Sequence, residues 1–159
     1  MVSREQVKNK KRPVVLTAGV FDLLHLGHVR FLEEAKKTGG KNAELVVIVA
    51  RDKTVEERKD EKPVMSENQR RALVESLEVV DEAVLGYKEF NIGQVIEKIK
   101  PDIIAVGHDQ KGIGEIVKKY IADKGLNIKI VKIGKFSEDE LDSSSQIKRK
   151  IIELYKRHS

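Results

Sequence analysis

Leu45 to Ala50 are six consecutive apolar residues, four of them β-branched. An amphipathic helix would interrupt such a run with polar positions. A strand buried on both faces would not, and strands of that kind belong to parallel sheets covered by helices. With Glu44 ahead of it, this is the strongest strand in the chain. Shorter runs at Pro13–Ala18, Asp81–Gly86, Asp102–Gly107 and Ile128–Val131 supply four more.

Helical spacing fills the intervals. Val29, Leu32 and Ala35 place a helix over Leu26–Lys37, stopped by Thr38-Gly39-Gly40. Ser66 caps the next, with Leu73, Leu77 and Val80 as its apolar stripe. Ile92, Val95, Ile96 and Ile99 mark a third, ended by Lys100-Pro101. Ile113–Lys124 is closed by Gly125, and a last helix over 143–157 turns Ile147, Ile151, Leu154 and Tyr155 inward. Arg51 to Met65 has no clear period and reads as a loop, with at most a helical turn, over the ligand edge of the sheet. Strand and helix alternate, so the expected fold is α/β: a Rossmann-like, doubly wound parallel sheet of five strands, order 3-2-1-4-5, in a single domain over 1–159 behind a basic tail at 1–12.

The carboxyl ends of the strands in such a sheet are where ligands bind. There the first strand passes through Gly19 into Phe21-Asp22-Leu23-Leu24-His25-Leu26-Gly27-His28. His25 and His28 are three residues apart, so a helix beginning near His25 puts both imidazoles on one face. Free N–H groups and the macrodipole at that helix end favour an anion. Gly27 has no Cβ, which leaves room for close approach to the backbone. The pair suits phosphate. Its other reading, half of a metal site, lacks a cysteine or nearby carboxylate to complete it.

Two more segments reach the same edge, Ala50-Arg51-Asp52-Lys53 and Gly107-His108-Asp109-Gln110. Arg70 shares a helix face with Leu73 and Leu77, so its charge needs an anionic partner, either a ligand or a loop carboxylate. Ser143-Ser144-Ser145 stands at a helix start, where serine serves either as a cap or as a phosphate ligand.

Composition narrows the partners. The chain has no cysteine, so disulfides and thiolate metal sites are excluded. No apolar run is long enough to span a bilayer, and no secretory pattern opens the sequence; the expectation is a cytoplasmic protein with no membrane partner. The net charge of +5 suits anionic ligands. Charges are mixed along the chain, the one dense basic run is Lys8–Arg12, and aromatics are 4%. Nucleotides therefore fit better than nucleic acid.

The Gly-x-Phe-Asp run followed by His-x-Gly-His resembles the signature of the HxGH nucleotidyltransferase superfamily, the cytidylyltransferase-like enzymes. Ile48–Thr54, Lys62–Arg71, Val80–Gly86 and Lys100–Gln110 resemble the archaeal FAD synthases within it. The resemblance spans about Val14 to Ile152. It implies transfer of AMP from ATP to FMN, releasing pyrophosphate, with Mg²⁺ carried on the phosphates. Catalysis would fall to His25, His28 and Arg70. Arg70 stands eleven residues before Asp81 of Val80-Asp81, the superfamily spacing for a triphosphate contact. Nucleotide contacts would come from Val20, Phe21, His25, Leu26, Gly27, His28, Asp109, Ser144 and Ser145. Lys53 or Lys62 would steady the acceptor phosphate. The Arg-Thr lead-in of the family's serine motif is absent, with Lys135-Phe136-Ser137 in its neighbourhood. The resemblance also implies a homodimer. Two alternatives remain: a cytidylyltransferase using CTP on glycerol 3-phosphate or another small phosphate ester, and a non-catalytic nucleotide- or flavin-binding module.

Overall fold

A computed structural model describes residues 11–136 and 142–159. Ser137 of the serine-motif lead-in, and all of the basic tail but Lys11 and Arg12, lie outside the described residues. Five parallel strands run β1 Val14–Gly19, β2 Glu44–Val49, β3 Glu82–Leu85, β4 Ile103–Gly107 and β5 Lys129–Ile133. Their order is β3-β2-β1-β4-β5, as expected. Six helices accompany them among the described residues: α1 Leu26–Lys37, α2 Asp52–Lys59, α3 Glu67–Glu75, α4 Ile92–Ile99, α5 Lys111–Lys124 and α6 Ser144–Arg157.

Side-chain alternation along the strands splits the core in two. Val15, Leu45, Val47, Val49, Ala83 and Ala105 face Leu32 and Ala35 of α1 and Val74 of α3. Val14, Leu16, Val46, Ile104 and Val106 face Val95 and Ile96 of α4 and Val117 of α5. Helices on both faces explain why β2 reads as an unbroken apolar run. Ser66 caps α3, its hydroxyl accepting from Gln69 N–H at 3.4 Å. Gly125 closes α5 with φ +61°.

Three local readings change. The polar stretch after β2 contains α2, eight residues long with only Val55 buried. One inward position in two turns leaves no period to see. The α3 helix ends at Glu75, and Leu77 and Val80 meet the core from the turn beyond it. On α6, Ile151, Leu154 and Tyr155 are exposed rather than inward, at 56%, 44% and 77%. Contacts from α6 to the body run through its first turns, at Ser144 and Lys148.

Candidate active site

β1 and β4 separate as they approach the carboxyl edge. Their backbone register is Val15↔Ile103 and Leu16↔Ile104, whereas β1 pairs with β2 along all six residues. Past Leu16 side chains replace the ladder. The buried Thr17 hydroxyl donates to Ala105 C=O at 2.9 Å. The Gln110 amide donates to Ala18 C=O at 2.9 Å and accepts from Gly107 N–H at 3.0 Å. The sheet is thus held together and held open at the topological switch point, where ligands enter an α/β sheet.

Gln110→Glu tests that rung. The new carboxylate faces Ala18 C=O without a proton to donate, at a cost of about 2 kcal/mol, or roughly 4–8 °C in melting temperature, near pH 8. That environment favours the protonated carboxyl, so its folded pKa rises above the unfolded value. The penalty then shrinks as pH falls through the folded pKa. Thermal melts at about pH 8 and pH 5 check this; an equal gap from wild type at both would remove the rung from the account.

The loop from β1 to α1 is tightly determined. Phe21 and Leu23 adopt left-handed backbone at φ 55° and 50°, costly for side-chain-bearing residues. Three clamps hold them. The Arg70 guanidinium donates to Val20 C=O at 2.7 Å and Met65 C=O at 3.0 Å, and pairs with Asp52 at 2.7 Å. Asp22, 5% exposed, accepts from Val64 and Met65 N–H at 2.7 and 2.9 Å. Ser144 Oγ donates to Asp22 C=O at 2.6 Å.

His25 is the N-cap of α1, and the two imidazoles stack with centroids 3.7 Å apart and planes 25° apart. His28 Nδ1 accepts from His25 N–H at 3.3 Å, which places the proton of a neutral His28 on Nε2. Burial, then the neighbouring His25 imidazole, with a smaller push from the Lys59 ammonium, bring His28 down to about 3, against a pull upward from Asp22. Burial also lowers His25, opposed by Asp142. His25 Nδ1 and Asp142 Oδ1 are buried and have no hydrogen-bond partner. Two uncharged imidazoles therefore wait at a positive helix end. The space at Gly27 serves the protein itself: a Cβ there would lie 2.9 Å from Asp142 C=O and 3.0 Å from the His25 ring.

A cavity of about 830 Å³ opens beside the pair. Of the expected site residues, Val20, Phe21, His25, Gly27, His28, Asp109, Ser144, Ser145 and Lys62 line it. Leu26, 49% exposed, is not among its lining residues. Lys53 is also outside and pairs with Glu57 at 3.8 Å. Arg70 is fully buried behind the loop, its donors taken by Val20, Met65 and Asp52. Ser143 is the cap of α6, accepting from Gln146 N–H at 3.2 Å. Arg58, Lys59 and Lys148 also line the cavity, as does Lys135 of the serine-motif lead-in, and sequence reasoning gave none of the four a role. Among 31 Lys and Arg, no pattern separates these four. Among the described residues no cluster of three or more His, Cys, Asp or Glu could hold a metal. No helix there is long and apolar enough to cross a membrane.

An open cavity at a switch point, with lysines on its wall and stacked imidazoles on a helix end, suits a polyphosphate. Comparison with known proteins agrees. Residues 16–150 match the cytidylyltransferase-like family. The FAD synthase of Methanohalobium evestigatum is 48% identical over 141 residues, covering 89% of this chain and 90% of that protein. That of Methanothermobacter marburgensis is 44% identical over 151 residues, covering 95% and 89%. A crystal structure from Thermoplasma volcanium, described as a lipopolysaccharide core biosynthesis protein, superposes with a TM-score of 0.71 at 42% identity, covering 80% of this chain and all of that one. The chain is a nucleotidyltransferase of the cytidylyltransferase-like family and groups there with archaeal FAD synthases.

Proposed function

We infer that the protein is an FAD synthase, catalysing ATP + FMN → FAD + pyrophosphate. The carrying observation is the stacked His25–His28 pair at the N-terminus of α1 inside a cation-lined cavity, read with relatives of that name over about nine-tenths of the chain. An FMN phosphate oxygen attacks the α-phosphorus of ATP in line. A new P–O bond forms, the bond to the β-phosphate oxygen breaks, and its electron pair leaves with pyrophosphate. No covalent enzyme intermediate is needed, so the protein contributes positioning and charge stabilisation.

His28 offers Nε2–H to a bridging or non-bridging phosphate oxygen, and His25 lies beside it on the same oxygens. Lys59, Lys135 and Lys148 offset phosphate charge, Asp109 meets the adenosine end and Lys62 the acceptor phosphate. Arg70 acts at one remove, by fixing the backbone of Val20 and Met65. The family generally works with a divalent metal. Mg²⁺ fits what is present: it keeps several waters and takes phosphates plus one or two carboxylates, and Asp142, which lines the cavity, has a buried carboxylate oxygen, Oδ1, without a partner. Bound there, it would neutralise charge developing on the phosphates.

Pyrophosphate release, measured with ATP or CTP against FMN or glycerol 3-phosphate, tests the assignment. Release with ATP and FMN alone is expected. Turnover confined to CTP and glycerol 3-phosphate would make the enzyme a small-ester cytidylyltransferase. Tight flavin binding without pyrophosphate would make it a binding module.

A further inference from the structure

The large cavity continues past the sheet edge. A second hollow of about 160 Å³ lies on the α4–α5 side, and Ala50, Thr54, Arg58 and Gln110 line both spaces. Its walls are apolar: Leu16, Ile48, Ile92, Val95 and Val106 among them. Tyr87 and Phe90, in the loop between β3 and α4, also line it and are 38% and 52% exposed. The chain has only four Phe, three Tyr and no Trp, so two aromatics on one short loop are a concentration. The Arg58 guanidinium stands 5.5 Å above the Phe90 ring.

Much of the polar side-chain chemistry around this hollow is already engaged. Thr17 is bonded to Ala105 C=O, and Gln110 to Ala18 C=O and Gly107 N–H. Asn91 Oδ1 accepts from Gln94 N–H, and Arg51 bonds Gly86 C=O and Glu67. A purine placed among Leu16, Ile48, Val95 and Val106 would find few partners for its ring nitrogens and amine, which is costly. A hydrocarbon ring asks for none. An apolar cavity of about 150 Å³ is known to take a benzene.

Resting on FMN as the acceptor, we propose that this hollow receives the dimethylbenzenoid end of the isoalloxazine ring. Phe90 and Tyr87 are its stacking platform. The ribityl chain then passes Ala50 and Thr54, which line both spaces, and delivers the phosphate toward His25 and His28. The hollow thereby selects a flavin over a small phosphate ester.

Steady-state kinetics with FMN and ATP varied separately test this in Phe90→Ala and in Ile92→Phe, which fills the hollow. Quenching of FMN fluorescence without ATP reads binding directly. Phe90 is exposed, so its truncation leaves the core intact. The KM for FMN should rise about tenfold, the scale of losing one ring–aromatic stack, and the quenching curve should shift equally, with the KM for ATP within about twofold. An unchanged KM for FMN in both variants, while wild type makes FAD, overturns the proposal and leaves the FAD synthase reading standing. A rise in the KM for ATP instead would give the hollow to adenine and also overturn it. If wild type makes no FAD, the acceptor assignment fails and the hollow's ligand with it.

Discussion

His28→Ala is expected to lower kcat about 10²–10³-fold, the cost of one preorganised donor to a charged transition state. Its melting temperature should fall by only a few degrees. The lost fold contacts are one acceptor for His25 N–H and the ring packing on His25 and Phe21, worth about 1–2 kcal/mol or roughly 2–8 °C. Turnover close to wild type would take His28 out of the chemistry. The pH behaviour carries a second signature. Unfolded, His28 titrates near the ordinary imidazole value of 6.5; folded, it is held at about 3. Between those values the unfolded chain binds the extra proton, so the residue contributes nothing against folding above pH 6.5 and subtracts stability as pH falls toward 3. Bound phosphate favours imidazolium. ATP binding should therefore raise the His28 pKa and take up protons at acid pH, measurable by calorimetry in buffers of different ionisation enthalpy.

Arg70→Ala should have the largest effect on stability. The guanidinium is fully buried, and its removal strands Val20 and Met65 C=O along with one oxygen of Asp52. Breaking a buried pair costs about 3–5 kcal/mol. The lower end applies, because the Asp52 side chain is 39% exposed and can turn to water. A loss of about 3 kcal/mol is roughly 6–12 °C in melting temperature for a chain this size. Arg70→Lys should recover little, since one ammonium cannot match a planar fork with three acceptors. kcat should fall as well, because Val20 precedes the strained Phe21–Leu23 turn that aims His25 and His28. The opposite pattern is equally readable. A variant that melts like wild type and loses only affinity for ATP would mean that Arg70 reaches the phosphates after all.

The sheet was legible because its signal is redundant. Apolar runs, glycine stops and cap residues all pointed to the same order, and α1 came out at Leu26–Lys37 from its apolar spacing and the Thr38-Gly39-Gly40 stop. The α2 helix was not legible. With Val55 its only buried residue, it owes its place to contacts that periodicity does not report. The α6 stripe shows the converse. Ile151, Leu154 and Tyr155 recur at helical spacing yet point outward. A period says that one face is apolar, not what that face meets.

Legibility within the site divides the same way. The histidine pair was readable because residue type, spacing and a helix start coincide. Arg70 could be placed on the buried side, but backbone carbonyls and phosphates satisfy a guanidinium alike, and only coordinates distinguish them. Gln110 stood inside a segment already singled out, yet its bond to Ala18 spans 92 residues. Lys59, Lys135 and Lys148 look like any other surface lysine until the fold turns them to one cavity.

The Ser144–Asp22 hydrogen bond joins positions 122 residues apart. On the ribosome, the loop bearing both imidazoles is made well before the hydroxyl that fastens it. Domains fold as their chains emerge, so the five strands can assemble while the nascent polypeptide still lacks a finished pocket. Catalytic competence must wait until Ser144 has emerged.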